Sequence, residues 1–339
     1  MADHAVLVTT DLRIPERDQY MGLEPFLEDP VYELKFRSPD RPDALQAAEV
    51  ADIDVLLSIG CDVTAAALED SGLRALGKFG SGMDQIDIEA CTREGIPVYN
   101  SPQGIRNSVA QATLGYLVTC AHRFKEYDTR IRTVGFPDRH VLMGRELFGA
   151  SLGIIGFGLI GRRVAELVAP FDMTVRVHDP YVDNASIPAG IERVGLDTLL
   201  ETSEFVSLHC PLTDETEGLL DTAALQRMRD DAYLINTARG GIVRDETLAR
   251  AIEEDWIAGA AIDVFETEPE VAESPLLDLE DCLLTPHIAG VTTDAFGQIG
   301  QLLYESTNTA LDGGVPRNLL NPEVMTGGVP PEKLSPSTL

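Results

Sequence analysis

Lysine is nearly absent from this chain. Lys35, Lys78, Lys125 and Lys333 are the only four in 339 residues, and with arginine they make 26 cations against 56 carboxylates, a formal net charge of −30. A surface of that sign repels nucleic acid and anionic membranes, so binding classes that need a basic face are excluded. The five cysteines, Cys61, Cys91, Cys120, Cys210 and Cys282, form no C-x-x-C pair and are odd in number. Neither a disulfide framework nor a metal site is expected, and most of them read as small buried apolar residues. No apolar run approaches the ~18 residues needed to span a bilayer. The opening MADHAVLVTT has no basic segment followed by a long apolar one, so the expected location is cytoplasmic. Low-complexity inserts and short-period repeats are also missing.

What is present is enough for two ordinary domains with substantial cores, and a hydrophobic content of 44% marks the chain as globular. The acid excess destabilises a compact state by self-repulsion in dilute buffer. Concentrated salt removes that cost, because the Debye length falls to roughly 3 Å at 1 M. Acid excess with lysine scarcity resembles the proteins of salt-accumulating halophiles; a merely acidic enzyme is the plainer alternative.

The most informative stretch runs from Leu152 to Asp179, LGIIGFGLIGRRVAELVAPFDMTVRVHD. Leu152 to Ile155 suits a strand buried on both faces, and Gly156, Gly158 and Gly161 follow as G-x-G-x-x-G. Gly156 permits the sharp turn, Gly158 lets a pyrophosphate approach the backbone, and Gly161 lets the helix pack on the strand. Phosphates then meet the unpaired N–H groups and positive dipole end of that helix. Val164, Leu167 and Val168 recur at helical spacing, and Met173 to Val177 reads as the next strand. It ends at Asp179, 18 residues past the last glycine, close to the spacing of about 20 expected for a ribose-binding acid. An acid there repels a 2′-phosphate, and no Arg or Lys follows within Pro180 to Ala185, so NAD is favoured over NADP.

Before this unit, strands are expected at Ala5 to Val8, Tyr32 to Phe36, Asp54 to Ser58, Leu76 to Phe79 and Pro97 to Tyr99, with helices at Ala44 to Val50 and Thr64 to Leu68. That alternation argues for a parallel sheet with helices on both faces. The turn GSGMD, Gly80 to Asp84, lies at a strand end, where ligands of such sheets sit. Val109, Leu114, Leu117 and Val118 predict a single long helix from Asn107 to about Arg132, and Phe136 to Phe148 an irregular arm. After Asp179, strands are expected near Phe205 to Leu208, Tyr233 to Asn236, Gly259 to Ile262 and Leu283 to Leu284. Helices fall around Thr222 to Met228, Asp245 to Glu254 and Ala295 to Leu311, and GGVPPEKLSPSTL reads as a mobile tail.

Three later stretches end predicted strands: NTARGG with Arg239, DVFETEP with Glu268 and TPHIAG with His287. Carboxyl ends of strands in such a sheet face the cofactor crevice. Arg239 can hold a carboxylate through its planar fork, and His287 can exchange the proton that accompanies hydride transfer to a carbonyl. Glu268 can orient the imidazole and favour its protonated form. Singly, each has a plain reading as a solvated or structural residue; together with the glycine unit they read as a site.

These motifs, with DVLLS, SGMDQIDIEAC, GIPVYNSP and HCPLTDETEGLL, make the chain resemble the D-isomer-specific 2-hydroxyacid dehydrogenases over nearly its whole length. The resemblance implies an α/β fold of two flavodoxin- or Rossmann-like domains with parallel sheets. A substrate domain is formed by 1–106 and 290–326, an NAD-binding domain by 107–289 is inserted between, and 327–339 is a tail. It implies a small 2-oxo or 2-hydroxy acid as partner, and a homodimer. Arg239 corresponds to the carboxylate clamp, His287 to the acid/base and Glu268 to its partner. The loop Ser81, Gly82 and Met83 corresponds to the segment that receives the substrate carboxylate. Implied cofactor contacts are Gly156, Gly158, Leu159, Ile160, Gly161, Asp179, His209, Cys210, Pro211, Thr216, Thr237, Ala238, Arg239, Asp263 and His287.

Some positions depart from the family pattern. Gln111 stands where many members have Glu, Phe136 where they have Trp, and Ser58 where phosphoglycerate enzymes have an arginine. With no regulatory C-terminal domain in the sequence, these departures count against 3-phosphoglycerate, whose extra charge needs a cation. The Glu268 and His287 pair argues against a formate dehydrogenase. An alternative from another class is an NAD(H)-sensing scaffold of the C-terminal-binding-protein type, which shares the fold. The halophile reading predicts a melting temperature and activity that rise from dilute buffer into molar KCl. A protein fully folded and active without added salt contradicts it.

Overall fold

The computed structural model describes residues 2–10, 12–14, 19–38, 44–136 and 138–326; the expected tail at 327–339 lies outside them. The chain divides into two compact units, Met1–Ile105 with Thr292–Leu339, and Arg106–Val291.

In the first unit the elements are β1 (His4–Val8), β2 (Arg13–Ile14), β3 (Gln19–Tyr20), α1 (Glu24–Glu28), β4 (Tyr32–Phe36), α2 (Ala47–Val50), β5 (Val55–Ser58), α3 (Ala65–Leu68), β6 (Ala75–Lys78), α4 (Ile88–Arg93) and β7 (Val98–Asn100). Helix α5 (Pro102–His122) starts in this unit and runs into the second. The second unit continues with α6 (Phe124–Val134), β8 (Ser151–Ile155), α7 (Leu159–Val168), β9 (Thr174–His178), β10 (Glu192–Arg193), α8 (Leu196–Thr202), β11 (Phe205–Leu208), α9 (Thr222–Leu225), β12 (Tyr233–Asn236), α10 (Asp245–Glu253), β13 (Gly259–Ile262) and β14 (Cys282–Leu284). Helix α11 (Thr293–Leu311) returns to the first unit.

The first unit holds a five-stranded sheet in the order β4-β1-β5-β6-β7, and the second a seven-stranded sheet in the order β10-β9-β8-β11-β12-β13-β14. Every strand pair in both is parallel. These are the flavodoxin-like and Rossmann orders, and both are α/β. Burial explains the composition of the strands. Along β8 and β11, Leu152, Ile154 and Phe205 enter one core while Ile155, Val206 and Leu208 enter another, so both faces of the sheet are covered. Such strands read as continuous apolar runs. Gly153 sits where a side chain would strike Leu199 and Ser203, which lets α8 lie close over β8.

The expected long helix is two helices. Arg123 adopts a left-handed backbone, φ 57°, between α5 and α6. Its guanidinium binds Glu126 at 3.0 Å and Asp281 at 2.6 Å, and these contacts hold the break. Apolar spacing continues through a break of this kind, so periodicity alone does not reveal it. The five cysteines are free thiols, four of them buried. Among the described residues no helix is long and apolar enough to cross a membrane.

Candidate active site

In the second unit, the sequence-derived residues gather because parallel strands put all their carboxyl ends on one edge. Asp179 follows β9, Gly156 to Gly158 follow β8, and His209 to Thr216 follow β11. Thr237 to Arg239 follow β12, Asp263 follows β13, and His287 lies three residues beyond β14. These are neighbouring strands, and chain order reverses between β8 and β11, where ligands bind such sheets.

The three glycines have different physical reasons. Gly156 has φ +90°, and a side chain there would strike the backbone of His209 and Cys210. At Gly161 a Cβ would overlap the carbonyl oxygen of Gly156, so α7 can start against the turn only without one. Gly158 is different: a Cβ there would meet nothing within 4 Å. The protein's own packing does not require that glycine, and the open space beside the start of α7 suits a phosphate. Leu159 is exposed in the first turn of α7, and Ile160 packs on the core beneath.

Asp179 is oriented by the backbone. One carboxylate oxygen accepts the Phe157 N–H at 2.8 Å, and the other accepts Tyr181 N–H at 2.9 Å and Val182 N–H at 3.2 Å. Asp179 also lines a cavity of about 400 Å³ with His178, Pro180, Asn184, Arg193, Val194 and Gly195. Arg193 is held there by Asn184 Oδ1 at 3.0 Å and the Pro180 carbonyl at 3.2 Å. It arrives from β10, beyond the Pro180 to Ala185 stretch that lacks Arg and Lys.

Around the β11 end, the His209 ring lies 2.9 Å from Ser207 Oγ, and burial pulls its pKa down to about 4. Burial pushes the Cys210 thiol up to about 11. Thr216 Oγ1 donates to the Pro211 carbonyl at 2.6 Å and closes that loop. Thr237 Oγ1 lies 3.3 Å from Thr113 Oγ1 of α5, and Ala238 N–H donates to Asn236 Oδ1 at 3.0 Å.

Arg239, Glu268 and His287 come together. His287 Nδ1 and Glu268 Oε2 are 2.6 Å apart, with the two side chains 50% and 32% exposed and so open to a ligand. Glu268 Oε1 accepts the Phe265 N–H at 2.8 Å. Burial raises the Glu268 pKa, but the hydrogen bonds from His287 and Phe265 and the charges of His287 and Arg239 outweigh it and leave it below the ordinary value. Glu268 therefore stabilises the fold fully above the usual carboxylate range, and that contribution is lost as pH falls through its lowered value. Arg239 reaches this group because Gly240 has no side chain; a Cβ there would overlap the backbone of Phe265 and Glu266. The Arg239 guanidinium donates to the Ala238 carbonyl at 2.7 Å.

Asp263 is fully buried. It accepts Thr285 Oγ1 at 2.6 Å, Ile288 N–H at 2.9 Å and Ala289 N–H at 2.9 Å, so its carboxylate serves its own chain. Tyr116 of α5 joins this group, with its hydroxyl 2.8 Å from Thr285 Oγ1. Nothing in the sequence singles out Tyr116, which lies on the apolar face of α5 with Leu117 and Cys120; Thr285 stands inside the TPHIAG motif.

Ser81, Gly82 and Met83 belong to the first unit, in the loop after β6. Gly80 opens that loop at φ +87°, its N–H donates to Ser101 Oγ at 3.0 Å, and Asn100 Nδ2 donates to the Ser81 carbonyl at 3.1 Å. Ser58, at the end of β5, is fully buried, and its hydroxyl has no hydrogen-bond partner among the described residues.

Comparison with known proteins identifies the family of the chain. The profile of the D-isomer specific 2-hydroxyacid dehydrogenase NAD binding domain matches residues 114–289. The glyoxylate reductase of Thermofilum pendens is 37% identical over 303 residues, 87% of this chain and 88% of that protein. The glyoxylate reductase of Korarchaeum cryptofilum is 34% identical over 328 residues, 94% of this chain and 96% of that protein. Among solved structures, the D-lactate dehydrogenase of Aquifex aeolicus complexed with NAD and lactic acid superposes with a TM-score of 0.80. It is 26% identical, covering 94% of this chain and 99% of that one. On these grounds the chain belongs to the D-isomer specific 2-hydroxyacid dehydrogenase family.

Proposed function

We propose that this chain interconverts a 2-oxo acid and a D-2-hydroxy acid with NAD as cofactor, using His287 as acid/base, Glu268 as its partner and Arg239 as carboxylate clamp. The observation that carries the reading is the 2.6 Å contact between His287 Nδ1 and Glu268 Oε2, with the Arg239 charge acting on the same carboxylate. When bound, the nicotinamide supplies the hydride that reaches C2 of the oxo acid.

The residues divide the remaining work. Arg239 pairs its fork with the substrate carboxylate, which aligns the carbonyl and draws charge toward it. Because Nδ1 is committed to Glu268, Nε2 is the ring nitrogen left to face the reacting oxygen. It donates its proton to the developing alkoxide, and the ring returns to the neutral Nδ1–H form that Glu268 holds in place. In the oxidative direction Nε2 takes the hydroxyl proton. Glu268, kept ionised by its hydrogen bonds, is acceptor-only and so fixes the tautomer.

We assign 107–289 to the cofactor and 1–106 with 290–326 to the substrate, the loop Ser81, Gly82 and Met83 receiving the carboxylate. The open space at Gly158 fits the pyrophosphate, and Asp179 the ribose diol; its charge favours NAD over NADP even with Arg193 in the same cavity. Leu159, Ile160, His209, Cys210, Pro211, Thr216, Thr237 and Ala238 complete the proposed cofactor contacts, whereas Asp263, fully buried and bonded to its own chain, supports the 285–289 turn behind them. Buried Ser58 offers no cation to a phosphorylated substrate, which favours small unphosphorylated oxo acids. The segment 124–148 exposes Phe124, Ile131, Val134, Met143, Phe148 and the 83% exposed Phe136, and we assign this apolar surface to a second copy of the chain.

Three measurements test the proposal. NADH oxidation in molar KCl across glyoxylate, hydroxypyruvate and branched 2-oxo acids should give turnover that His287→Ala slows at least ~100-fold. No turnover with any acid, despite NADH binding, rejects the dehydrogenase reading and turns attention to a sensing scaffold. In fluorescence titrations NADH should bind more tightly than NADPH. Gly158→Ala should weaken that binding with little loss of stability, whereas Gly161→Ala should lower both; equal stability losses contradict the ligand role of Gly158. Light scattering should give twice the 36.8 kDa chain mass, and a monomer rejects the assigned surface.

A further inference from the structure

His287 has an uncommon backbone for a side-chain-bearing residue, φ 52°. That conformation is strained for a residue with a Cβ, so the turn must be held from outside. Three successive amides are held by one residue. His287 N–H donates to the Asp263 carbonyl at 2.7 Å, and Ile288 and Ala289 N–H donate to the two Asp263 carboxylate oxygens at 2.9 Å each. A carboxylate without exposure needs its lone pairs filled, or its desolvation cost is uncompensated.

The hydroxyl protons around Asp263 can be counted. Thr285 has one, and the 2.6 Å contact gives it to Asp263 Oδ1. The 2.8 Å contact between Thr285 Oγ1 and Tyr116 must then use the phenol's proton, with a weaker branch to Asp263 Oδ1 at 3.3 Å. Burial first, and the Asp263 charge after it, push the phenol up to about 12, so Tyr116 remains a donor at working pH.

We propose that Tyr116 is a positioning residue for His287: its hydroxyl, passed through Thr285 to the buried Asp263, holds the turn that aims the imidazole at Glu268 and the substrate. The inference rests on reading His287 as the acid/base. Without the phenolic proton, Thr285 loses its donor and Asp263 one of its ligands. The 285–289 turn then loosens, while the glycine loop, Asp179 and Arg239 are untouched. The consequence is a misplaced proton donor in a site that still binds.

The test is Tyr116→Phe in the full chain in molar KCl, read by NADH titration, steady-state kinetics and the downfield Nδ1–H proton resonance of His287, assigned by its loss in His287→Asn. The expected result is NADH affinity and KM within about 3-fold of wild type, kcat lowered about 10-fold, and a broadened or absent resonance. Thr285→Val should reproduce this, Thr285→Ser should restore kcat, and the double variant Tyr116→Phe with Thr285→Val should lose no more than either single one. An unchanged resonance with kcat within 2-fold of wild type overturns the proposal. If Tyr116→Phe does not fold, the Thr285 pair decides on the same readouts. If His287→Asn itself keeps full activity, the acid/base reading fails, whereas a dead His287→Asn beside a normal Tyr116→Phe rejects only the role of Tyr116.

Discussion

The buried carboxylate of Asp263 is the constraint around which the candidate site is built. Its oxygens accept the Thr285 hydroxyl and the Ile288 and Ala289 amides, and its carbonyl takes the His287 amide. A charge with no access to water must be bonded on all sides or it destabilises the fold by several kcal/mol. Satisfying Asp263 therefore forces the 285–289 turn into one shape, with His287 in a left-handed backbone. Position and stability come from the same bonds.

Close backbone approach is the second constraint. Gly156 against His209 and Cys210, Gly161 against Gly156, and Gly240 against Phe265 bring successive strand ends nearer than any side chain permits. The first two shape a turn at the start of α7. The third sets Arg239 beside Glu268, and the arginine charge helps keep that carboxylate ionised. Gly158 is the exception: a Cβ there would meet nothing within 4 Å, so packing within the protein does not require that glycine.

These dry contacts sit inside a molecule whose net charge is −30. Salt screens exposed charges that lie more than a Debye length apart, whereas the bonds to the buried Asp263 carboxylate span less than 3 Å and lie well inside that length.

The sequence by itself determined the class of the fold and most of the strands, because strands buried on both faces need unbroken apolar runs and the glycine turn has few substitutes. β11, β12 and β13 lie where the apolar runs at 205–208, 233–236 and 259–262 place them. It also supplied Arg239, Glu268 and His287 as candidates, since strand ends of a parallel sheet share an edge. Tertiary structure alone decided the break at Arg123, the arrival of Arg193 in the Asp179 cavity and the link from Tyr116 to Asp263. The first and last depend on partners far apart in the chain, Arg123 with Asp281 and Tyr116 with Thr285, while Arg193 is set in the Asp179 cavity by Pro180 and Asn184. Periodicity records which face of an element is apolar, but it carries no information about which distant hydroxyl or carboxylate that face will meet.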